Sequence, residues 1–177
     1  MQRRPEQPVQ DAERELFSLA QIMHLLRIEF ARAQRYEYPL SCLLIAVDGL
    51  GHIRDTYGYE AKQSVLDEVA GALQAETRSC DFLGRLMDDR LLAVVPHTMR
   101  DGARVLAERL LAAVRKLRFE SGGDRVPITL SIGVTHNGAG STLFFDALLQ
   151  AGEGALAESV VAGGDRLSVR DPDPLVG

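Results

Sequence analysis

"RLMDDRLLAVVP", residues 85–96, decides how the middle of this chain folds. Leu91 to Pro96 is an apolar run of strand length, and "DFLGRL" just upstream is a second. Two such runs joined through "MDDR" read as a hairpin, but Met87, Asp88, Asp89 and Arg90 include no Gly to supply positive φ. The adjacent acids are therefore either part of a metal site or an exposed turn held by Arg90 or Arg85.

Outward from the hairpin, "LSCLLIAV" (40–47) is continuously apolar and stops at Asp48-Gly49, as a buried strand would. "PITLSIGV" (127–134) and "DRLSV" (165–169) read as further strands. Val65, Leu66, Val69 and Leu73 repeat at helical spacing within 59–77. Helices are also expected over 101–117 and over 142–159, the latter weakened by Gly152 and Gly154. Arg54-Asp55 reads as loop. Leu16, Leu19, Met23, Leu26, Phe30 and Ala33 predict one long helix over about 12–36, ending before Pro39. Its stripe either packs on its own domain or forms a dimeric stalk.

This order predicts an α/β (α+β) fold: a single mixed central sheet of about five strands, helices on its faces, and a long N-terminal helix. Residues 1–10 read as a flexible lead-in, 11–170 as the domain and 171–177 as a tail.

With 177 residues, 46% of them apolar, the chain can build one sizeable core. Its net charge of −5 and pI near 5.4 argue against nucleic acid as a partner. No apolar run reaches membrane-span length and no signal peptide is legible, so a cytoplasmic protein is expected. Cys42 and Cys80 fit neither a disulfide framework nor a zinc pattern, and His24, His52, His97 and His136 lack ligand spacing.

The element order, together with "RYEYPLSCLLIAVD", "DTYG", "LLAVVPHT", "GARVLAERLLAAV" and "ITLSIGV", resembles the GGDEF family of diguanylate cyclases from about residue 11 to 169. The resemblance implies a nucleotidyl-cyclase-like fold. In active members two GTP-loaded domains meet, each 3′-hydroxyl attacks the other's α-phosphate, and carboxylate-held metal ions steady the charge. A Gly-Gly turn lets bare backbone approach the phosphates.

The signature positions depart from that pattern. The family's first metal-binding Asp aligns with Ala46, while its next acid is kept as Asp48, read here as a strand-end turn residue. The guanine-reading Asn and Asp align with Arg54 and Gln63, and an Asp and a Lys near the C-terminus with Gly152 and Ser159. Gly-Gly-Asp/Glu-Glu-Phe becomes Met87, Asp88, Asp89, Arg90 and Leu91, of which only Asp89 keeps its chemical type. A carboxylate within ~4 Å of a phosphate charge costs roughly 1 to 4 kcal/mol. Gly122-Gly123-Asp124 and Gly163-Gly164-Asp165 lie in polar loops outside the hairpin. The chain is expected to be a degenerate member with no catalytic residues, no metal site, no requirement for Mg²⁺ and no cofactor.

A second site matches better. Arg78 and Asp81 stand nine residues before Met87 at the family's RxxD offset, an inhibitory site for the product, cyclic di-GMP, and Arg109 matches an Arg that completes it. Arginine can donate to guanine O6 and N7 while a carboxylate accepts from the ring N–H and amine. The alternative at these positions is structural: a local Arg78–Asp81 ion pair at a helix end, and Arg109 as a solvated residue beside Glu108.

The resemblance thus implies an inactive receptor that binds cyclic di-GMP at Arg78, Asp81 and Arg109 and signals to an unidentified protein partner. The alternative is a nucleotide-independent interaction or dimerisation module on the same fold, using the leading helix. Least favoured is an enzyme with altered ligands, Asp48, Asp88 and Asp89.

Overall fold

An eight-residue strand without polar alternation needs cover on both faces, and β1 (Leu40–Val47) has it. The computed structural model describes residues 16–138 and 144–173. Around β1 are α1 (Leu19–Tyr36), α2 (Leu50–Tyr57), α3 (Tyr59–Glu76), β2 (Phe82–Arg85), β3 (Leu91–Pro96) and α4 (Arg100–Arg115). There follow β4 (Phe119–Ser121), β5 (Asp124–Val126), β6 (Leu130–His136), α5 (Phe145–Val161) and β7 (Arg166–Val169). The central sheet runs β2-β3-β1-β6-β7, antiparallel except for the β6 and β7 pair, so it is mixed and five-stranded as expected.

Alternate β1 side chains serve two cores. Leu43, Ile45 and Val47 pack with Val65, Val69 and Leu73 of α3 and Leu106 and Leu110 of α4. Cys42 and Leu44 face the other side, against Ile22, Leu26 and Phe30 of α1 and Leu148 and Leu156 of α5. Burial pushes the Cys42 thiol up to about 12 and keeps it inert, while Cys80 is exposed.

Several expectations need correction. The leading helix begins at Leu19 instead of near residue 12. Ser18 Oγ accepts from the Gln21 amide and Gln21 Oε1 from the Ser18 amide, a capping box that fixes the start. Phe17 is drawn out of helix by bridging to Gly84 of β2. The buried stripe is accordingly Ile22, Leu26, Phe30 and Ala33, with Leu19 outward and Leu16 before the helix. That stripe packs on its own domain; the large apolar residues α1 leaves exposed are Leu19, Ile28 and Tyr36.

Residues 50–57 are helical where a loop is expected, and Phe119–Val126 forms a separate hairpin that turns through Gly122-Gly123 at positive φ. At the C-terminal end, Asp171 pairs with His136 at 2.9 Å and Arg100 at 3.6 Å, so the first tail residue is tied to the domain. The expected lead-in, residues 1–10, and most of the tail lie outside the described residues. No helix among the described residues is long and apolar enough to cross a membrane.

Candidate functional site

The hairpin between β2 and β3 reverses at Met87–Asp89. Asp88 and Asp89 both take φ of 60°, the left-handed conformation a tight hairpin demands, and Asp tolerates it better than most residues. The turn thus forms without the expected Gly. Its support differs from expectation too: Lys62 Nζ of α3 lies 2.6 Å from Asp89. Arg85 pairs with Asp67 at 3.6 Å, and Arg90 pairs with Glu153 of α5. Met87 projects, 66% exposed, whereas Leu91 is buried in the sheet. Lys62 stands in "YEAKQ" one residue before Gln63, and nothing local in that string advertises its partner.

Asp48 closes the end of β1. Its Oδ2 accepts from Thr129 Oγ1 and the Asp165 amide, both at 2.8 Å, and its Oδ1 accepts from Ser131 Oγ at 2.6 Å. This bears out the strand-end reading and explains Gly164, where an added Cβ would lie 2.8 Å from an Asp48 oxygen. A divalent cation does not suit these residues: Ala46 offers no side-chain oxygen, both Asp48 oxygens are engaged, and Asp89 faces Lys62. Among the described residues no three His, Cys, Asp or Glu side chains converge. Among the described residues, Arg54 pairs with its neighbour Asp55, at 2.9 Å.

The expected register at α5 is corrected by burial. Gly152 faces Leu44 and Thr135, and Ser159 is fully buried, its Oγ donating to the Ile132 carbonyl at 2.9 Å. Neither position can present an Asp or a Lys to the signature turn. The residues one step along do face outward: Glu153 reaches Arg90, and Val160 is exposed.

Arg78, Asp81 and Arg109, spread over 31 positions, line one open cleft of about 350 Å³. Arg78 follows the end of α3, Asp81 precedes β2, and Arg109 projects from α4. The Asp81 side chain is 1% exposed and faces Arg78. Its Oδ2 accepts from the Arg78 amide at 2.8 Å, and its Oδ1 lies 3.3 Å from the guanidinium. The local ion pair of the alternative reading is therefore present. The Arg78 guanidinium also donates to Thr98 Oγ1 at 2.7 Å and to the Pro96 carbonyl at 3.3 Å, which holds it at the cleft wall. Arg109 does not pair with Glu108, whose partner is Arg104. It donates to the Glu76 carboxylate at 2.9 Å and the Glu76 carbonyl at 2.8 Å.

His97 and Thr98 complete one wall. The His97 ring stacks on Tyr38, with centroids 3.9 Å apart and planes at 24°. Tyr38 in turn donates to Glu29 of α1, and burial together with that carboxylate pushes its phenol up to about 12. Glu76, His97 and Thr98 escape sequence reading, since their partners lie 20 to 59 positions away.

The model of the diguanylate cyclase GGDEF domain matches residues 10–166. The diguanylate cyclase DgcP of Pseudomonas aeruginosa is 32% identical over 153 residues, 85% of this chain but 22% of that protein. The chain therefore spans about a fifth of that relative's length. Among solved structures, the diguanylate cyclase SiaD of P. aeruginosa, in complex with its activator SiaC, is 27% identical with a TM-score of 0.82, covering 87% of this chain and 58% of that one. The GGDEF domain of DgcB from Caulobacter crescentus, in complex with c-di-GMP, shares the fold at 17% identity and a TM-score of 0.82 over 97% of this chain and 99% of that one. A family match over most of the chain, on a sheet and helices of the same arrangement, makes this protein a member of the GGDEF domain family of diguanylate cyclases.

Proposed function

We propose that this GGDEF domain binds cyclic di-GMP without making it, and passes the bound state to a protein partner. The observation that carries the reading is the gathering of Arg78, Asp81 and Arg109 in one open cleft. There Arg78 would donate to a guanine edge or phosphate, Asp81 would hold Arg78 in position, and Arg109 would meet a phosphate. Loss of synthesis is supported by the other end of the sheet. A triphosphate laid on the turn would meet the Met87 side chain and the Asp88 carboxylate, and the cation cradle lacks its first acid at Ala46. That a related cyclase, SiaD, takes a protein activator supports a partner contact on this fold.

Titration calorimetry with cyclic di-GMP, with GTP as control, tests the proposal. Binding tighter than ~100 μM, about −5.5 kcal/mol, is expected, with GTP silent. Arg78→Ala should weaken it by at least about ten-fold, the cost of a charge-assisted donor pair. No binding at ~100 μM, or unchanged binding by Arg78→Ala, would sink the receptor reading. Synthesis of cyclic di-GMP from GTP and Mg²⁺ that Asp89→Ala abolishes would overturn the loss of activity. Glu76 competes with the ligand for Arg109, so Glu76→Gln should bind about two- to five-fold more tightly in the same titration. Weaker binding by that variant would instead make Glu76 the group that positions Arg109.

A further inference from the structure

The cleft has an aromatic wall to which nothing in its RxxD-type chemistry assigns a role. His97 follows β3 with φ of 52°, a backbone state that histidine adopts more readily than most residues and that turns the chain away from the strand. One face of its ring lies against Tyr38, and the residue lines the cleft beside Thr98, the hydrogen-bond partner of Arg78. His97 and the hydrogen-bond partner of Arg78 are therefore chain neighbours in the lining of one cleft.

Tyr38 is itself fixed on two sides. Its hydroxyl donates to Glu29, a buried acid of α1, and its carbonyl accepts from Asn137 Nδ2 at 3.3 Å. Asn137 Oδ1 also accepts from the Leu40 amide at 3.1 Å, which locks this corner to the first residue of β1. An imidazole backed by an anchored phenol is a stacking surface ordered before any ligand arrives, so little side-chain entropy remains to be lost on binding. Flat apolar surface beside a fixed planar donor is what a nucleobase requires: one group meets the face of the base and the other its edge.

We infer that His97, backed by Tyr38, is the base-stacking platform of this cleft and makes it selective for a nucleotide over a simple phosphate. The inference rests on the receptor reading above. It adds a residue to that site and identifies what the face of the base touches, while Arg78 serves the edge and Arg109 the phosphate. Stacking uses the π face common to all bases, so His97 supplies affinity and the edge contacts supply the choice of guanine.

The test is calorimetry with cyclic di-GMP on the whole chain as wild type, His97→Asn, His97→Phe and Arg78→Ala, with circular dichroism melts as the folding control. Asparagine tolerates the left-handed backbone and removes the ring, whereas phenylalanine keeps a ring and removes the nitrogens. His97→Asn should weaken binding about ten-fold, and His97→Phe should stay within about three-fold of wild type. Wild-type affinity in His97→Asn, with melts unchanged and Arg78→Ala still defective, would overturn the platform and leave the receptor reading standing. A His97→Phe variant as weak as His97→Asn would overturn it too, by showing that an aromatic ring at this position does not suffice. Absence of binding in the wild type would sink both.

Discussion

Gly133→Ala is expected to lose about 3 kcal/mol of stability or more, a large loss for one added methyl group. Gly133 lies mid-strand in β6, paired with Leu44 of β1 on one side and Ser168 of β7 on the other. A Cβ there would stand 2.3 Å from the Gly152 carbonyl oxygen and 2.4 Å from the Leu156 amide nitrogen, both backbone atoms of α5. Side chains can rotate away from such an intrusion, but a helix backbone moves only as a whole. Moving α5 would open the core where Leu148 and Leu156 meet Leu44.

Gly152→Ala offers the comparison, because its Cβ would meet the tip of the Leu44 side chain at 2.4 Å, a group with rotamers to use. That variant should lose about 1 to 2 kcal/mol. At roughly 2 to 4 °C per kcal/mol for a chain of this size, thermal melts separate the two readily. A Gly133→Ala variant that melts within a few degrees of wild type would show that α5 can lift from the sheet at little cost.

What is legible in the sequence follows burial. β1 and β3 can be read to the residue because strands covered on both faces are unbroken apolar runs. α2 cannot, since its only buried side chain is Ile53 and an eight-residue helix with one anchor has no apolar period. The start of α1 is misplaced by pattern alone because Leu16 extends the apolar spacing upstream, while the Ser18 and Gln21 box that ends it is polar. Each strand of the β4 and β5 hairpin has three residues, too few to show alternation.

The site divides in the same way. Arg78 and Asp81 are three apart and can be seen together, whereas Glu76 meets Arg109 across 33 positions and Lys62 meets Asp89 between two elements. At α5 the one-residue error in register cannot be detected from "AGEGALAES", where small residues make neighbouring alignments equivalent. Burial of Ser159 and the outward reach of Glu153 resolve it.

Asp48→Ala is expected to cost about 3 kcal/mol, a loss that would assign this retained acid to architecture. Three donors converge on its two oxygens, from Thr129, Ser131 and the Asp165 amide, and Ser131 is fully buried. Removing the carboxylate leaves the Ser131 hydroxyl without its acceptor inside the protein, where an unmade hydrogen bond costs most. It also leaves the Asp165 amide without its Asp48 acceptor, while Arg115 of α4 still holds the Asp165 carboxylate at 2.8 Å. Asp48→Asn should lose nearly as much, because an amide offers one acceptor oxygen and turns its NH₂ toward a donor. Ser131→Ala should be far milder, since Asp48 keeps two partners, and the Asp48→Ala and Ser131→Ala double variant should show positive coupling in a cycle. A metal-binding acid predicts the opposite pattern. An acid kept for a cation is stabilised when Mg²⁺ is added, and its removal leaves the metal-free protein as stable as before or more so. A wild-type melting temperature that rises with millimolar Mg²⁺, together with an Asp48→Ala variant of undiminished stability, would return Asp48 to the cation and reopen the case for catalysis.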